Sequence, residues 1–128
     1  MRVVVLLLAL VAGAAGCATD CQSSCEKIWA ETGCGTPDPT IFDEASRDAR
    51  IAECMQHCEG AMLKYGDPGP YEPNIAVSQS ASPCLENQRQ AAMWMECVDL
   101  AACETLEKNV CAPIYNVGAC NCDGQKCD

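Results

Sequence analysis

Apolar positions open the chain as a single block and then spread into periodic patterns. Val3 to Val11 is an unbroken apolar run behind Met1 and Arg2, and no later stretch repeats it. From Cys21 a helical period appears: Cys21, Cys25, Ile28, Trp29 and Thr32 share one face, which predicts a helix from about 21 to 32 that Gly33 stops. The segment from Cys34 to Pro39 holds two prolines and a glycine and is expected to be irregular. Thr40, with Asp43 three residues on, has the form of a capping box. It opens a second predicted helix to about Tyr65, with Ile51, Cys54, Met55, Cys58 and Met62 inward and Glu44, Arg47, Asp48 and Arg50 outward.

Residues 66–83 contain four prolines and few core formers, so they mark an internal boundary. Within them Tyr71, Pro73 and Asn74 combine an aromatic ring with a stiff backbone, which makes them the candidate contact surface. Ser82 followed by Pro83 has the form of an N-cap and first helical position. It predicts a third helix with Leu85, Ala92, Met93, Glu96 and Leu100 in its stripe. Past Leu100 two alanines favour continuation, whereas the shift of the stripe to Leu106 and Val110 favours a turn; Pro113 ends helical structure in either case. From Ile114 onward an irregular tail carries an Asp-Gly turn signal. The expected fold is therefore all-α: a helix hairpin in 17–65, a Pro-rich loop in 66–83, and a second helical part with a cysteine-rich tail in 84–128.

Thirteen of the 128 residues are cysteine. In an exported chain that usage reads as a disulfide framework. With one Phe, two Trp and three Tyr the core is modest, so cross-links must carry part of the stability. Two Cys-x-x-x-Cys motifs, Cys21/Cys25 and Cys54/Cys58, fall on the first two predicted helices. Cysteines four apart stand one above the other, about 6 Å along a helix axis. If the two helices run antiparallel, Cys21 pairs with Cys58 and Cys25 with Cys54, because both pairs then share one register. The arrangement resembles the twin motif of small helical-hairpin proteins of the mitochondrial intermembrane space, although 28 residues lie between the motifs here. Only the covalent geometry is implied. The other cysteines, Cys34, Cys84, Cys97, Cys103, Cys111, Cys120, Cys122 and Cys127, allow 105 pairings, and spacing does not choose among them.

The apolar opening, one preceding positive charge and the small residues Ala12 to Gly16 have the three-part form of a secretory signal, expected over residues 1–16. About fourteen apolar or small residues precede Cys17, fewer than the roughly 20 a membrane-spanning helix requires. Ala14-Ala15-Gly16-Cys17 resembles the lipobox of bacterial lipoproteins, which implies lipidation of Cys17 as the first mature residue. Setting Cys17 aside leaves twelve cysteines, an even number. Ala18 stands where an aspartate favours inner-membrane retention in that family, so the resemblance implies the outer membrane. In general build the chain resembles uncharacterised cysteine-rich helical lipoproteins of Gram-negative bacteria.

Eighteen acidic residues against eight Lys and Arg make the formal net charge −10, and loss of Arg2 with the leader takes it one further, to −11. Such acidity excludes nucleic acid as a partner class, since that binding draws on clustered cations. Cys54, His57 and Cys58, or Cys120, Cys122 and Cys127, offer soft metal ligands; oxidation to disulfides would remove those thiolates, so no metal and no cofactor is expected. His57 is the only histidine. No hydrolase, zinc-protease or phosphate-loop motif occurs. The sequence thus predicts a non-catalytic structural or binding module, held to the membrane through its lipid alone. The alternatives are a soluble secreted effector or inhibitor, or a thiol metal-binding protein.

Overall fold

The computed structural model describes residues 19–35, 43–115 and 117–120. The predicted signal segment, Cys17, Thr40, Cys122 and Cys127 lie outside the described residues. Among those described, all regular structure is helical: α1 (Cys21–Trp29), α2 (Glu44–Met62), α3 (Gln88–Leu100) and α4 (Cys103–Leu106), with 3-10 turns at Gln79–Ala81 and Val117–Cys120.

α1 begins where Asp20 and Ser23 cap each other. The Asp20 carboxylate accepts from the Ser23 amide at 2.7 Å, and the Ser23 hydroxyl accepts from the Asp20 amide at 3.1 Å. The helix stops three residues earlier than its apolar spacing predicts. Arg47 supplies the reason: its guanidinium donates to the carbonyls of Trp29 at 3.2 Å and Gly35 at 2.7 Å, capping the freed end from another helix. Thr32 accordingly lies in a turn. Gly33 packs there so closely that a Cβ would collide with the Lys27 carbonyl oxygen.

α2 is capped by Asp43, whose carboxylate accepts from the Ser46 amide at 2.7 Å. Its end at Met62, short of the expected Tyr65, also has a tertiary cause. The Lys64 carbonyl accepts from the amide of Gln88 at 2.9 Å, and Gly66 lies directly on the Asn87 side chain, so the chain is pulled out of helical register.

The start of α3 is a correction to the sequence reading. Ser82 ends the Gln79–Ala81 turn instead of opening a helix, and residues 82–87 are not helical. The cap is Asn87, accepting from the amides of Arg89 at 3.1 Å and Gln90 at 3.2 Å. The segment before it is committed elsewhere, since Cys84 is cross-linked to Cys120 and the Leu85 amide donates to His57. The buried face is also a different one: Gln90, Ala91, Trp94, Met95, Cys97 and Val98 face inward, whereas Ala92, Glu96 and Leu100 of the predicted stripe are exposed. After Leu100 the helix breaks at Ala101, and α4 follows as a separate turn. Helical structure has ended before Pro113, and one 3-10 turn follows it.

α1 and α2 pack antiparallel, joined by the expected rungs Cys21–Cys58 and Cys25–Cys54, with Cα separations of 5.7 and 5.8 Å. α3 lies against both. It starts beside the end of α2 through the Gln88 to Lys64 bond, and it finishes beside the end of α1, where the Lys27 ammonium donates to the Asp99 carbonyl at 2.6 Å. The three helices therefore run up, down and up. One end of the bundle gathers Asp20, Met62 and Gln88, and the other gathers Trp29, Arg47 and Asp99. Cys34–Cys103 closes the second end, Cys84–Cys120 fixes the tail and Cys97–Cys111 ties α3 to the loop after α4. One core takes Ile28, Trp29, Tyr71, Trp94, Val98 and Ile114 from both sides of the proline-rich loop. A large apolar side chain fully buried contributes ~1.5–3 kcal/mol, and five cross-links add to a core of this size.

Replacing Cys25 and Cys54 together by alanine is expected to lower the unfolding free energy by about 2–4 kcal/mol. Denaturant unfolding under non-reducing conditions measures this; an unchanged midpoint would show that the rung carries no stability.

Candidate functional site

The largest cleft described lies between the proline-rich loop and the α3–α4 corner. It has a volume of about 500 Å3 and is walled by Pro73 and Asn74 on one side and by Met93, Leu100, Ala101 and Val110 on the other, with Glu96 and Thr105 as polar groups. That volume falls within the range of small-molecule sites, about 300–1,000 Å3. Its walls have a covalent and hydrogen-bonded basis. The Cys111 amide donates to the Pro73 carbonyl at 2.7 Å, and Asn109 exchanges bonds with Val77, giving its side-chain amide at 3.0 Å and accepting the Val77 amide at 3.4 Å. Behind the loop, the Tyr71 hydroxyl donates to the Ala112 carbonyl at 2.8 Å and Trp94 Nε1 donates to the Pro113 carbonyl at 3.2 Å.

Asn109 and Cys111 both have positive φ, 56° and 60°. Asparagine tolerates the left-handed region; cysteine adopts it at a cost of order 1–3 kcal/mol. The disulfide to Cys97 and the bond to Pro73 hold Cys111 there, so the loop that forms one wall of the cleft is set by its surroundings and not by local preference.

The expected contact surface is corrected in part by this arrangement. Tyr71 is buried and Pro73 is buried, so neither stands out as an exposed determinant; of the three only Asn74 is exposed. The ring of Tyr71 is too large an apolar group to leave in water beside an open core, and burial pushes its phenol pKa well above the usual value. Pro73 and Asn74 still line the cleft, but as a wall. Sequence reasoning missed the opposite wall, because Met93, Glu96 and Leu100 were read as an inward stripe. Glu96 within that stripe is the signal that marks the face as outward.

A second cleft, of about 350 Å3, opens at the end of the bundle where α1 begins. Thr19, Asp20, Met55, Glu59, Met62 and Met95 line it. Next to it, Leu63 and Tyr65 are 84% and 91% exposed.

The possible thiol ligands are spent. Cys54 and Cys58 are both in disulfides, and among the described residues no group of three or more His, Cys, Asp or Glu is placed to hold a metal ion. Cys120 is bonded to Cys84. His57 has a structural task instead of the outer position expected: it is buried between the two rungs, and its Nε2 accepts the Leu85 amide at 3.1 Å. That bond ties the hairpin to the strap leading into α3. It requires an unprotonated Nε2, and desolvation, with the charge of Lys64 second, lowers the imidazole pKa from 6.5 to about 4.

No protein-family model matches the chain, and no curated protein or solved structure matches it. Among the described residues no helix is long and apolar enough to cross a membrane. The disulfides belong to an oxidising, exported environment.

Because the folded pKa of His57 lies below its unfolded value, the unfolded chain binds the extra proton between about 4 and 6.5. Its contribution is complete above the unfolded pKa and is lost as pH falls through this window, by about 3 kcal/mol. The depressed carboxyl groups of the caps Asp20 and Asp43 act lower, losing their contribution only as pH falls below the usual carboxylate range. Urea unfolding from pH 7 to 4 should show the decline in the wild type, and His57→Gln, which keeps an acceptor but does not titrate, should flatten it. An unchanged slope in the variant would contradict the assignment.

Proposed function

We propose that the protein is a non-catalytic lipoprotein of the bacterial envelope, anchored through lipid on Cys17 and serving as a binding or structural module. One observation carries the reading: Cys17 follows Ala14-Ala15-Gly16 at the end of the chain's longest apolar run, four residues ahead of the cross-linked Cys21. Anchor and folded domain are then almost contiguous. A diacylglyceryl group with an amide-linked acyl chain holds such a domain firmly, because each buried methylene contributes ~0.8 kcal/mol and two or more chains bind stably where one is marginal. The even count of twelve remaining cysteines supports the same assignment. Ten of them are already paired, and Cys122 and Cys127 complete the number.

For the binding role, the support is the cleft beside the proline-rich loop. Its walls are apolar, its polar groups are few, and its framework is closed by Cys97–Cys111. Such a hollow suits an apolar group carrying a hydrogen-bond donor or positive charge toward Glu96. Ala18 supports placement at the outer membrane by the family pattern.

Intact mass of the mature protein tests the reading. The expected species begins at Cys17, carries a lipid-sized increment and has twelve fewer hydrogens than its reduced form. An unmodified chain that begins elsewhere would overturn it in favour of a soluble secreted product.

A further inference from the structure

We propose that the end of the bundle formed by Met62, Leu63 and Tyr65 is a lipid-contact surface, which seats the domain on the bilayer in one orientation. The inference rests on the reading that Cys17 carries lipid, and it adds which face meets the membrane.

Exposure is the first observation. Leu63 and Tyr65 are 84% and 91% exposed and Met62 is 41% exposed, three apolar side chains within four positions at the end of α2. Their backbone is not loose. The Lys64 carbonyl accepts from Gln88, the Asp67 carbonyl accepts from Asn87 Nδ2 at 2.9 Å, and the Pro68 carbonyl accepts from Gln90 Nε2 at 3.0 Å. Gly66 sits against Asn87 so tightly that a Cβ would lie 2.8 Å from Nδ2. A rigid platform thus presents these side chains to the outside, where they bury nothing within the domain.

The tether identifies the occupant. Cys21 is held to Cys58 with Cα atoms 5.7 Å apart, and Met62 follows Cys58 by one helical turn, about 6 Å. Cys17 precedes Cys21 by four residues, a span of at most ~14 Å even when fully extended. A lipid on Cys17 therefore holds this end of the bundle, and no other, within reach of the bilayer surface. Tyrosine and lysine suit that depth: the ring of Tyr65 carries a hydroxyl toward the headgroups, and the Lys64 stem extends its ammonium outward from between two apolar neighbours. Leu100, 77% exposed, lies at the opposite end of α3, about 18 Å along the axis from Gln88, and serves as the control.

The test places single tryptophans in the full-length, membrane-processed protein: Leu63→Trp, Tyr65→Trp and Leu100→Trp. None of these positions is in the core, and Trp29 and Trp94 are buried, so they contribute a constant background. Each variant is reconstituted into phosphatidylcholine vesicles with and without brominated acyl chains, and mass spectrometry establishes the lipid on Cys17. Reporter fluorescence at 63 and 65 is expected to fall about twofold or more with brominated lipid, since interfacial side chains sit about 5–10 Å deep, and at 100 to stay unchanged. Lipid on Cys17 with no quenching at 63 and 65, or with equal quenching at 100, overturns this surface while leaving the anchor intact. Absence of lipid on Cys17 overturns both.

Discussion

Two disulfide rungs between α1 and α2 are the constraint from which the remaining structure follows. Cys21–Cys58 and Cys25–Cys54 fix two short helices antiparallel and in one register. α1 is nine residues long, too short to persist alone in water, where isolated helices below about 12–15 residues are marginal. Once the rungs hold it, the faces bearing Ile28, Trp29 and Ala61 are buried and α3 has a surface to cover. The other cross-links then act on a formed bundle. Cys34–Cys103 closes its far end, and Cys97–Cys111 holds a backbone conformation that cysteine would not adopt unaided.

The hairpin was legible in the sequence because its information is local. A spacing of four puts two cysteines on one helix face, and two such motifs of equal spacing admit one antiparallel pairing. Asp43, whose carboxylate caps α2, was legible for the same reason. The second half was less so. Ser82-Pro83 has the form of a helix start, yet the residues after it are held away by His57 and Cys120, partners 25 or more positions distant in either direction. The inward face of α3 was misjudged because Leu85 was counted in its stripe; Leu85 is buried, but from outside the helix. Tyr71 looked like a surface residue because of the prolines around it, and its burial depends on an Ala112 carbonyl 41 residues on.

These departures place the features of functional interest. With α3 turned as it is, Met93, Glu96 and Leu100 face the proline-rich loop and make a cleft where a plain helix surface was expected. With α2 stopped at Met62, Leu63 and Tyr65 leave the helix and project at the end from which Asp20 leads back toward Cys17. His57 links the two regions, since it lies between the rungs and holds the strap that enters α3. Its neutral state is the one the bond requires. Cleft, exposed end and imidazole thus all derive their positions from the register of the hairpin.

That register is open to direct determination by proteolysis of the oxidised protein and mass spectrometry of the linked peptides. Peptides joining Cys21 to Cys58 and Cys25 to Cys54 are the predicted result. A link from Cys21 to Cys25, or from Cys54 to Cys58, would leave the two helices unjoined and contradict the account at its base.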